Sequence, residues 1–390
     1  MRALRTIVVV LLVSLGFLGG YFVGWFMHGE NVVRLSGTER NDAKKAASLE
    51  QRVIEELEGR YYKAVDAEKL GRAGVRGVLK SLDDPYTVYL SPEETMAFEE
   101  KESGEYSGIG ASLQKSAKGV VITSVFPGSP AAAGGLKPGD TIVSVDGSST
   151  KDVAIETIIG RIKGKEGTQV RLEIKPKNGP PRQLSVTRRP IQIPETRKSM
   201  EKAGGKKVGY VQLYEFGGYA ARDVRRDIEG LAGKGAQSFI LDLRYNGGGL
   251  LSQAVDVTGV FQTGSVTSTK GLHSPLEELK ANGPAATGKT LVLLVNGYSA
   301  SASEIVTGAL KDRGRAEVIG TRTFGKGLVQ SIVPLGNNAS LKLTTAVYYT
   351  PNGTNINEKG ITPDIVVTEK PKTKKDEQLQ AALRYLARQP

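Results

Sequence analysis

The stretch LVLLVNGYSASASEIVTGAL, residues 291–310, sets the fold class. It reads as a buried strand, a tight Asn-Gly turn, a run of small residues and then an amphipathic helix. The same grammar recurs from 207 to about 368, where KVGYVQLYEF, SFILDLRY, TLVLLVN, AEVIG and LKLTTAVYYT alternate with helical segments. Apolar strands alternating with helices predict an α/β core.

Upstream, from Tyr106, the hydrophobic period changes to two. IGASLQ, VVITSVF, DTIVSVDG and TQVRLEIKP read as strands between Gly and Pro turns, with SPAAAGG and VAIETIIGRIKG helical in pattern. This mixed β unit with two helices ends near Pro190. Before it, residues 41–82 read as helix, with apolar stripes at Leu49, Val53, Ile54 and Leu57 and at Val75, Val78, Leu79 and Leu82. Ser91-Pro92-Glu93-Glu94 opens another helix through a capping box with proline at the first helical position. The helical pair packs on the core or on a second subunit, and a homodimer through these helices is one expectation. After the core, KPKTKKDEQLQAALRYLARQP reads as a charged linker and a short helix.

The N-terminus points to a compartment. Arg2 and Arg5 precede the uncharged run IVVVLLVSLGFLGGYFVGWFM, residues 7–27. A helix of about 20 apolar residues spans a bilayer, and the positive-inside rule keeps the arginines in the cytoplasm. No A-x-A-like cleavage site follows, so an uncleaved anchor is favoured over a signal peptide. The expected location is extracytoplasmic: periplasmic in a Gram-negative cell, the outer membrane face otherwise. The chain has 390 residues, no cysteine and a net charge of +12. Disulfides, cysteine-based zinc sites and a thiol nucleophile are excluded. Its Lys and Arg are dispersed without stacking aromatics, which disfavours nucleic acid and suits an anionic membrane surface.

GTRTFGKGLVQ, residues 320–330, imitates a phosphate-binding loop: Gly320, Gly325 and Lys326 are in register, but Gly327 replaces the Mg²⁺-binding Ser or Thr. The following LVQSIVPL reads as a strand, where such a loop needs a helix N-terminus. Lys326 therefore wants another job. The two histidines, His28 and His273, sit in no glycine-framed strand-to-helix turn, and there is no H-E-x-x-H, so a Ser-His-Asp triad and a metallohydrolase are both poorly supported. A Ser-Lys dyad remains. The 291–310 stretch places a serine at a helix N-terminus, where N–H groups and the macrodipole favour a developing oxyanion. Gly325 and Gly327 let the Lys326 turn bring its amine close. As a base that amine must be neutral, so its pKa of about 10.4 must fall by roughly 2–3 units, a shift burial can produce. Gln330, four positions on in the strand, lies on the same side and can orient it. Plain alternatives stand beside these readings: Ser301-x-x-Glu304 is also a capping box, and a lone lysine in a loop is usually a surface charge.

Taken together, SASASE followed by FGKGLVQ resembles the carboxy-terminal processing peptidases, or tail-specific proteases. DPYTVYLSPEE, SGIGASL with GLKPGDTIVSVDG, LDLRYNGGG and YYTPNGTNINEKGITPDIVV extend the resemblance over nearly everything after the apolar run. It implies a crotonase-like α/β peptidase core with an inserted PDZ domain and an N-terminal helical segment. By position it implies Ser301 as nucleophile, with Ser299 and Ser303 less suited, Lys326 as general base and Gln330 as its orienting residue. The oxyanion hole it implies is the N–H of Ala302 with that of Gly247 or, one position on, Gly248. The plain alternative for Asn246–Gly249 is a flexible turn. Asp312 stands where some relatives need an acid, and is equally well a charged helix-end residue. The PDZ-like unit would take a substrate's C-terminal tail as an added strand along Ile109–Leu113, with its carboxylate in a nest at Gly108, Ile109 and Gly110. Lys163 reads as a surface lysine, at a place where relatives tend to carry a basic link to the core. No metal or cofactor is implied.

The expected organisation is 1–35 anchor and tether, 36–104 helical region, 105–190 PDZ domain, 191–370 peptidase core and 371–390 linker and helix. The expected function is a serine endopeptidase that binds C-terminal tails of extracytoplasmic proteins, with an activator or adaptor protein as a further partner. The alternative is a membrane-tethered PDZ adaptor with an inactive core.

Overall fold

The computed structural model describes residues 36–116, 119–192, 194–369 and 375–389. The apolar run 7–27 lies outside them; among the described residues no helix is long and apolar enough to cross a membrane. The chain divides into two units, Met1–Asp83 and Asp84–Pro390.

In the first unit the expected single helix is two: α1 (Gly37–Arg60) and α2 (Ala67–Lys80). The break follows from local capping. Tyr61 turns extended (ψ 141°), and the Asp66 carboxylate accepts the Lys69 N–H at 3.0 Å to start α2. Neither helix has a buried residue.

The second unit opens with β1 (Val88–Leu90) and α3 (Pro92–Ser103), whose capping box forms as the sequence implies: Glu94 N–H donates to Ser91 Oγ and Ser91 N–H to the Glu94 carboxylate. Then β2 (Glu105–Gly108) leads into a compact sheet of β3 (Ala111–Ser116), β4 (Gly119–Val125), β5 (Thr141–Val145), β6 (Ser148–Ser149), β7 (Gln169–Lys175) and β8 (Arg182–Thr187), with α4 (Pro130–Ala133) and α5 (Ile155–Ile162). Its strand order is β3-β4-β5-β7-β8, so β3 is an edge. Val120, Ile122, Ile142, Leu172 and Ile174 fill its core against Ile158 and Ile162 of α5. The chain leaves through β9 (Arg189–Gln192), antiparallel to β2 with Tyr106 opposite Ile191. Entry and exit thus share one two-stranded ribbon, the mark of an inserted domain. Lys163, at the end of α5, pairs with Glu100 of α3 and lies 4.9 Å from the Tyr106 ring centroid, so it joins the insertion to the helix before it rather than facing solvent alone.

The remainder forms two further sheets. The elements are β10 (Thr196–Ala203), β11 (Lys206–Leu213), α6 (Ala220–Gly233), β12 (Ser238–Asp242), α7 (Leu251–Gly259), β13 (Gly264–Lys270), β14 (Glu277–Ala281), β15 (Leu291–Val295), α8 (Ala302–Asp312), β16 (Glu317–Gly320), β17 (Leu328–Gly336), β18 (Ala339–Tyr349), β19 (Ile365–Val366) and α9 (Glu377–Arg388). The central sheet runs β10-β11-β12-β15-β16-β19, parallel from β11 onward. Strand alternation divides its apolar residues between two faces. Leu241, Leu293 and Val295 pack under α6, α7 and α8, while Ile240, Val292 and Leu294 meet Ala382 and Leu386 of α9. The C-terminal helix is therefore a full layer of the core, not an appendage of a linker. A second, antiparallel sheet pairs β18 with β1, β13 and β17, and β13 with β14.

Candidate active site

The 291–310 stretch folds as its sequence implies: β15, a turn, then α8. Asn296 builds the turn, its side-chain oxygen accepting the N–H groups of Tyr298 (3.0 Å) and Tyr245 (3.1 Å). The three serines that follow separate by their partners. Ser299 Oγ donates to Leu243 O at 2.8 Å and accepts the Asn296 N–H; Ser303 Oγ donates to Asn246 O at 2.9 Å; both residues are fully buried. Ser301 alone faces a cleft of about 750 Å³; its Oγ stands in capping-box position to the Glu304 N–H, and its proton is donated to no group among the described residues. Its backbone, at φ 54° and ψ −114°, is one that non-glycine residues adopt only under tension.

The loop after β12 is bound to this turn. The Asn246 carbonyl accepts the Ala300 N–H at 3.0 Å as well as Ser303 Oγ, and its side chain donates to Leu213 O. Gly248 has φ +104°, and a Cβ there would lie 2.9 Å from the Cβ of Ser301, so only glycine allows the approach. The Gly248 N–H is occupied by Asn246 Oδ1 at 2.9 Å. The N–H groups of Gly247 and Ala302 donate to no group among the described residues, and both residues line the cleft.

At the base of this loop Arg244, 7 % exposed, is bonded to Asp242 (2.7 Å) and to both carboxylate oxygens of Asp376 (2.7 and 2.8 Å). Asp376 is also the N-cap of α9. One guanidinium thus clamps β12 to the last helix in the bidentate geometry arginine favours.

Lys326 and Gln330 line the same cleft, beside Glu102 and Lys342. Burial pushes the Lys326 amine below its ordinary pKa and the Lys342 ammonium adds to this; Glu102, Asp84 and Glu304 oppose it. Burial likewise pushes the Glu102 carboxyl up, with Glu215 reinforcing and Lys342 opposing. The amine forms no hydrogen bond to Ser301 or Gln330; it lies 4.7 Å from the centroid of the Tyr86 ring. Lys326 precedes β17 rather than sitting in it, so the expected strand parity with Gln330 does not apply, and Gln330 Nε2 is buried without a partner among the described residues.

Glu304 was legible in the sequence only as a helix cap. It is fully buried, and its carboxylate accepts four donors: Ser301 N–H (2.9 Å), Thr323 Oγ1 (2.6 Å), Gly325 N–H (2.7 Å) and Lys326 N–H (2.9 Å). It therefore joins the Ser301 turn to the Lys326 turn. Burial pushes this carboxyl above the usual range, and the Thr323 hydroxyl and the three N–H groups oppose the shift. Asp312 does not reach the cleft; at the far end of α8 it accepts the Asn352 N–H at 2.9 Å. His273 is exposed and away from the cleft.

In the inserted domain Gly108 ends β2, Ile109 is buried and Gly110 has φ +75°. The Ile109 carbonyl accepts the Ala131 N–H (2.7 Å) and that of Gly110 accepts the Phe126 N–H (2.9 Å). The N–H groups of Ile109 and Gly110 donate to no group among the described residues, next to the open edge of β3.

Comparison with known proteins gives this arrangement its family. The profile of Peptidase family S41 matches residues 207–367, that of the PDZ domain residues 97–175, and that of the activating protease CtpB N-terminal domain residues 14–95. A carboxyl-terminal-processing protease of Picosynechococcus is 37 % identical over 319 residues, covering 79 % of this chain and 77 % of its own. The chain belongs to Peptidase family S41. A probable CtpA-like serine protease of Staphylococcus saprophyticus is 36 % identical over 341 residues, covering 86 % of this chain and 67 % of its own. Among solved structures, a photosystem II D1 C-terminal processing protease aligns over 86 % of this chain and 90 % of its own, at 29 % identity and a TM-score of 0.49. This S41 member is a serine peptidase carrying a PDZ domain, on a mixed α/β fold.

Proposed function

We propose that this peptidase works through a Ser301–Lys326 dyad and selects its substrates by their C-terminal tails. One observation carries the reading: a cleft brings together a serine hydroxyl that donates to no protein group, two unpaired N–H groups and a half-buried amine without an anionic partner. Neutral Lys326 Nζ takes the proton from Ser301 Oγ as it attacks a peptide carbonyl carbon. The oxyanion is held by the N–H groups of Gly247 and Ala302, Gly248 being already committed to Asn246. The Lys326 ammonium then protonates the leaving amine. Water, deprotonated by Lys326, releases the acyl group and restores Ser301. Gln330 offers an unpaired amide to orient the amine once it leaves Tyr86. Asp312 supports the turn at Asn352 and lies outside this chemistry.

The tail enters as a strand on the β3 edge, with its carboxylate on the Ile109 and Gly110 N–H groups beside Gly108. The apolar run behind Arg2 and Arg5 supports a place on the extracytoplasmic side of a membrane, where its substrates are extracytoplasmic proteins taken by their C-terminal tails. The test uses the full chain with an unfolded protein bearing an apolar C-terminus, free or amidated. Cleavage by the parent alone, lost in Ser301→Ala and Lys326→Ala and weakened by amidation, is expected. Equal cleavage by all three removes the dyad, and tail binding without any cleavage favours an adaptor.

A further inference from the structure

Tyr348 lies in β18 and is 2 % exposed. Its hydroxyl reaches the carbonyl oxygens of two residues far apart in sequence: Ser301, at 3.1 Å, and Lys326. The N–H groups of the same two residues meet on Glu304. Both backbone polar groups of Ser301 and of Lys326 are thus bound by one pair of buried side chains, a carboxylate below the amides and a phenol between the carbonyls. Neither turn belongs to a ladder at that point, so these bonds take the place that secondary structure holds elsewhere.

The two carbonyls depend on Tyr348 unequally. Ser301 O also accepts the N–H groups of Glu304 (2.8 Å) and Ile305 (3.0 Å). Lys326 O has no second donor among the described residues. A phenol has one proton to share between both acceptors. Removing it leaves Ser301 on its helix and leaves the Lys326 carbonyl without a donor, while Glu304 still holds the Gly325 and Lys326 N–H groups and Asn357 that of Gly327, so the turn stays in place and loses the one bond that ties its carbonyl side to Ser301. Gly327 O still accepts the Tyr348 N–H (3.0 Å), so the strand stays paired and the loss falls on the separation of the two residues.

We propose that Tyr348 is a positioning residue for peptide cleavage, its hydroxyl fixing the Lys326 backbone against that of Ser301 so that the amine, on leaving Tyr86, arrives at Ser301 Oγ. This rests on the Ser301–Lys326 reading above. A misplacement of the base by a fraction of an ångström to 1 Å slows the chemical step while the tail site, in another domain, is untouched.

The experiment is Tyr348→Phe in the full chain, alone and combined with Lys326→Ala, with Ser301→Ala and Lys326→Ala as references. Expected is a fall in kcat of about 10- to 100-fold, with KM and tail binding within about 2-fold and the rate of Ser301 labelling by a fluorophosphonate reduced in step with kcat. In the Lys326→Ala background the phenylalanine should cost nothing further in the residual rate, since the group it positions is gone. Parent-like kcat in Tyr348→Phe, or the same loss with and without Lys326, overturns the proposal. So does a Tyr348→Phe chain without near-ultraviolet circular dichroism at every temperature tried, because the hydroxyl then serves the fold. Parent-like cleavage by Ser301→Ala and Lys326→Ala removes the dyad and the proposal with it; loss in those two beside a parent-like Tyr348→Phe removes the proposal alone.

Discussion

The Lys326 amine rests on the face of Tyr86, 4.7 Å from the ring centroid, and not on Ser301. Tyr86 is itself fixed, its N–H donating to Asp84 Oδ1 at 2.9 Å, while Thr87 Oγ1 donates to the second oxygen at 2.6 Å. An aromatic face stabilises an ammonium and not a neutral amine. The ring therefore opposes the deprotonation that burial promotes.

Tyr86→Leu keeps the apolar cover and removes the quadrupole. A cation–π contact of about 0.5–2 kcal/mol corresponds to about 0.4–1.5 pH units. The alkaline-rising limb of kcat/KM should move to lower pH by that amount. An unmoved limb would mean that the amine spends no catalytically relevant time on the ring.

The charges lining the cleft make a paired prediction of opposite sign. Lys342 pushes the Lys326 pKa down and Glu102 pushes it up. The rate follows the neutral fraction of the base, so Lys342→Met should shift the limb to higher pH and Glu102→Gln to lower pH. Both shifts should shrink in concentrated salt, as exposed parts of the cleft are screened. Shifts of the same sign would show that Lys326 is not the titrating group.

The serines divide by consequence. Ser301→Ala should abolish probe labelling with little change in Tm, because its hydroxyl donates to nothing in the fold and the Glu304 N–H keeps the Ser301 carbonyl at 2.8 Å. Ser299→Ala orphans the buried Asn296 N–H and should lose about 1–3 kcal/mol of stability, read by urea unfolding; Ser303→Ala leaves the Asn246 carbonyl its Ala300 donor and should lose less; both should still label at Ser301.

In the PDZ domain, Gly110→Ala meets two obstacles at once: a left-handed φ of +75° and a Cβ only 2.4 Å from the Ser129 Cβ. Tail binding, followed by fluorescence anisotropy of a labelled apolar peptide, should fall at least 10-fold. Unchanged binding would move the carboxylate site elsewhere.

Much of the core was legible because β12 and β15 are continuous apolar runs and the serine turn and glycine loop are short motifs with fixed offsets. The arrangement around them was not. Glu304 reads locally as a cap since three of its four partners lie 19 to 22 residues away. Tyr348 reads as one more residue of an apolar strand, and nothing in YYT announces that its hydroxyl meets two distant turns. The α1–α2 break depended on one capping aspartate inside a periodic pattern. The α9 layer was missed because its amphipathic stripe follows a charged stretch that looks like a linker.

That last layer gives the molecule a sense of time. The loop beside Ser301 is clamped through Arg244 to Asp376, 132 residues further along the chain. A ribosome exposes the serine, the lysine and the PDZ domain well before it exposes the helix that Asp376 caps. On the proposed dyad, the loop beside Ser301 therefore receives this clamp only after the serine and the lysine have both been made, and a nascent chain carries the two groups before the clamp exists. Chains stopped just before Asp376 are expected to bind tails but to label at Ser301 far more slowly than the full chain, and adding the α9 peptide in trans should restore part of that rate.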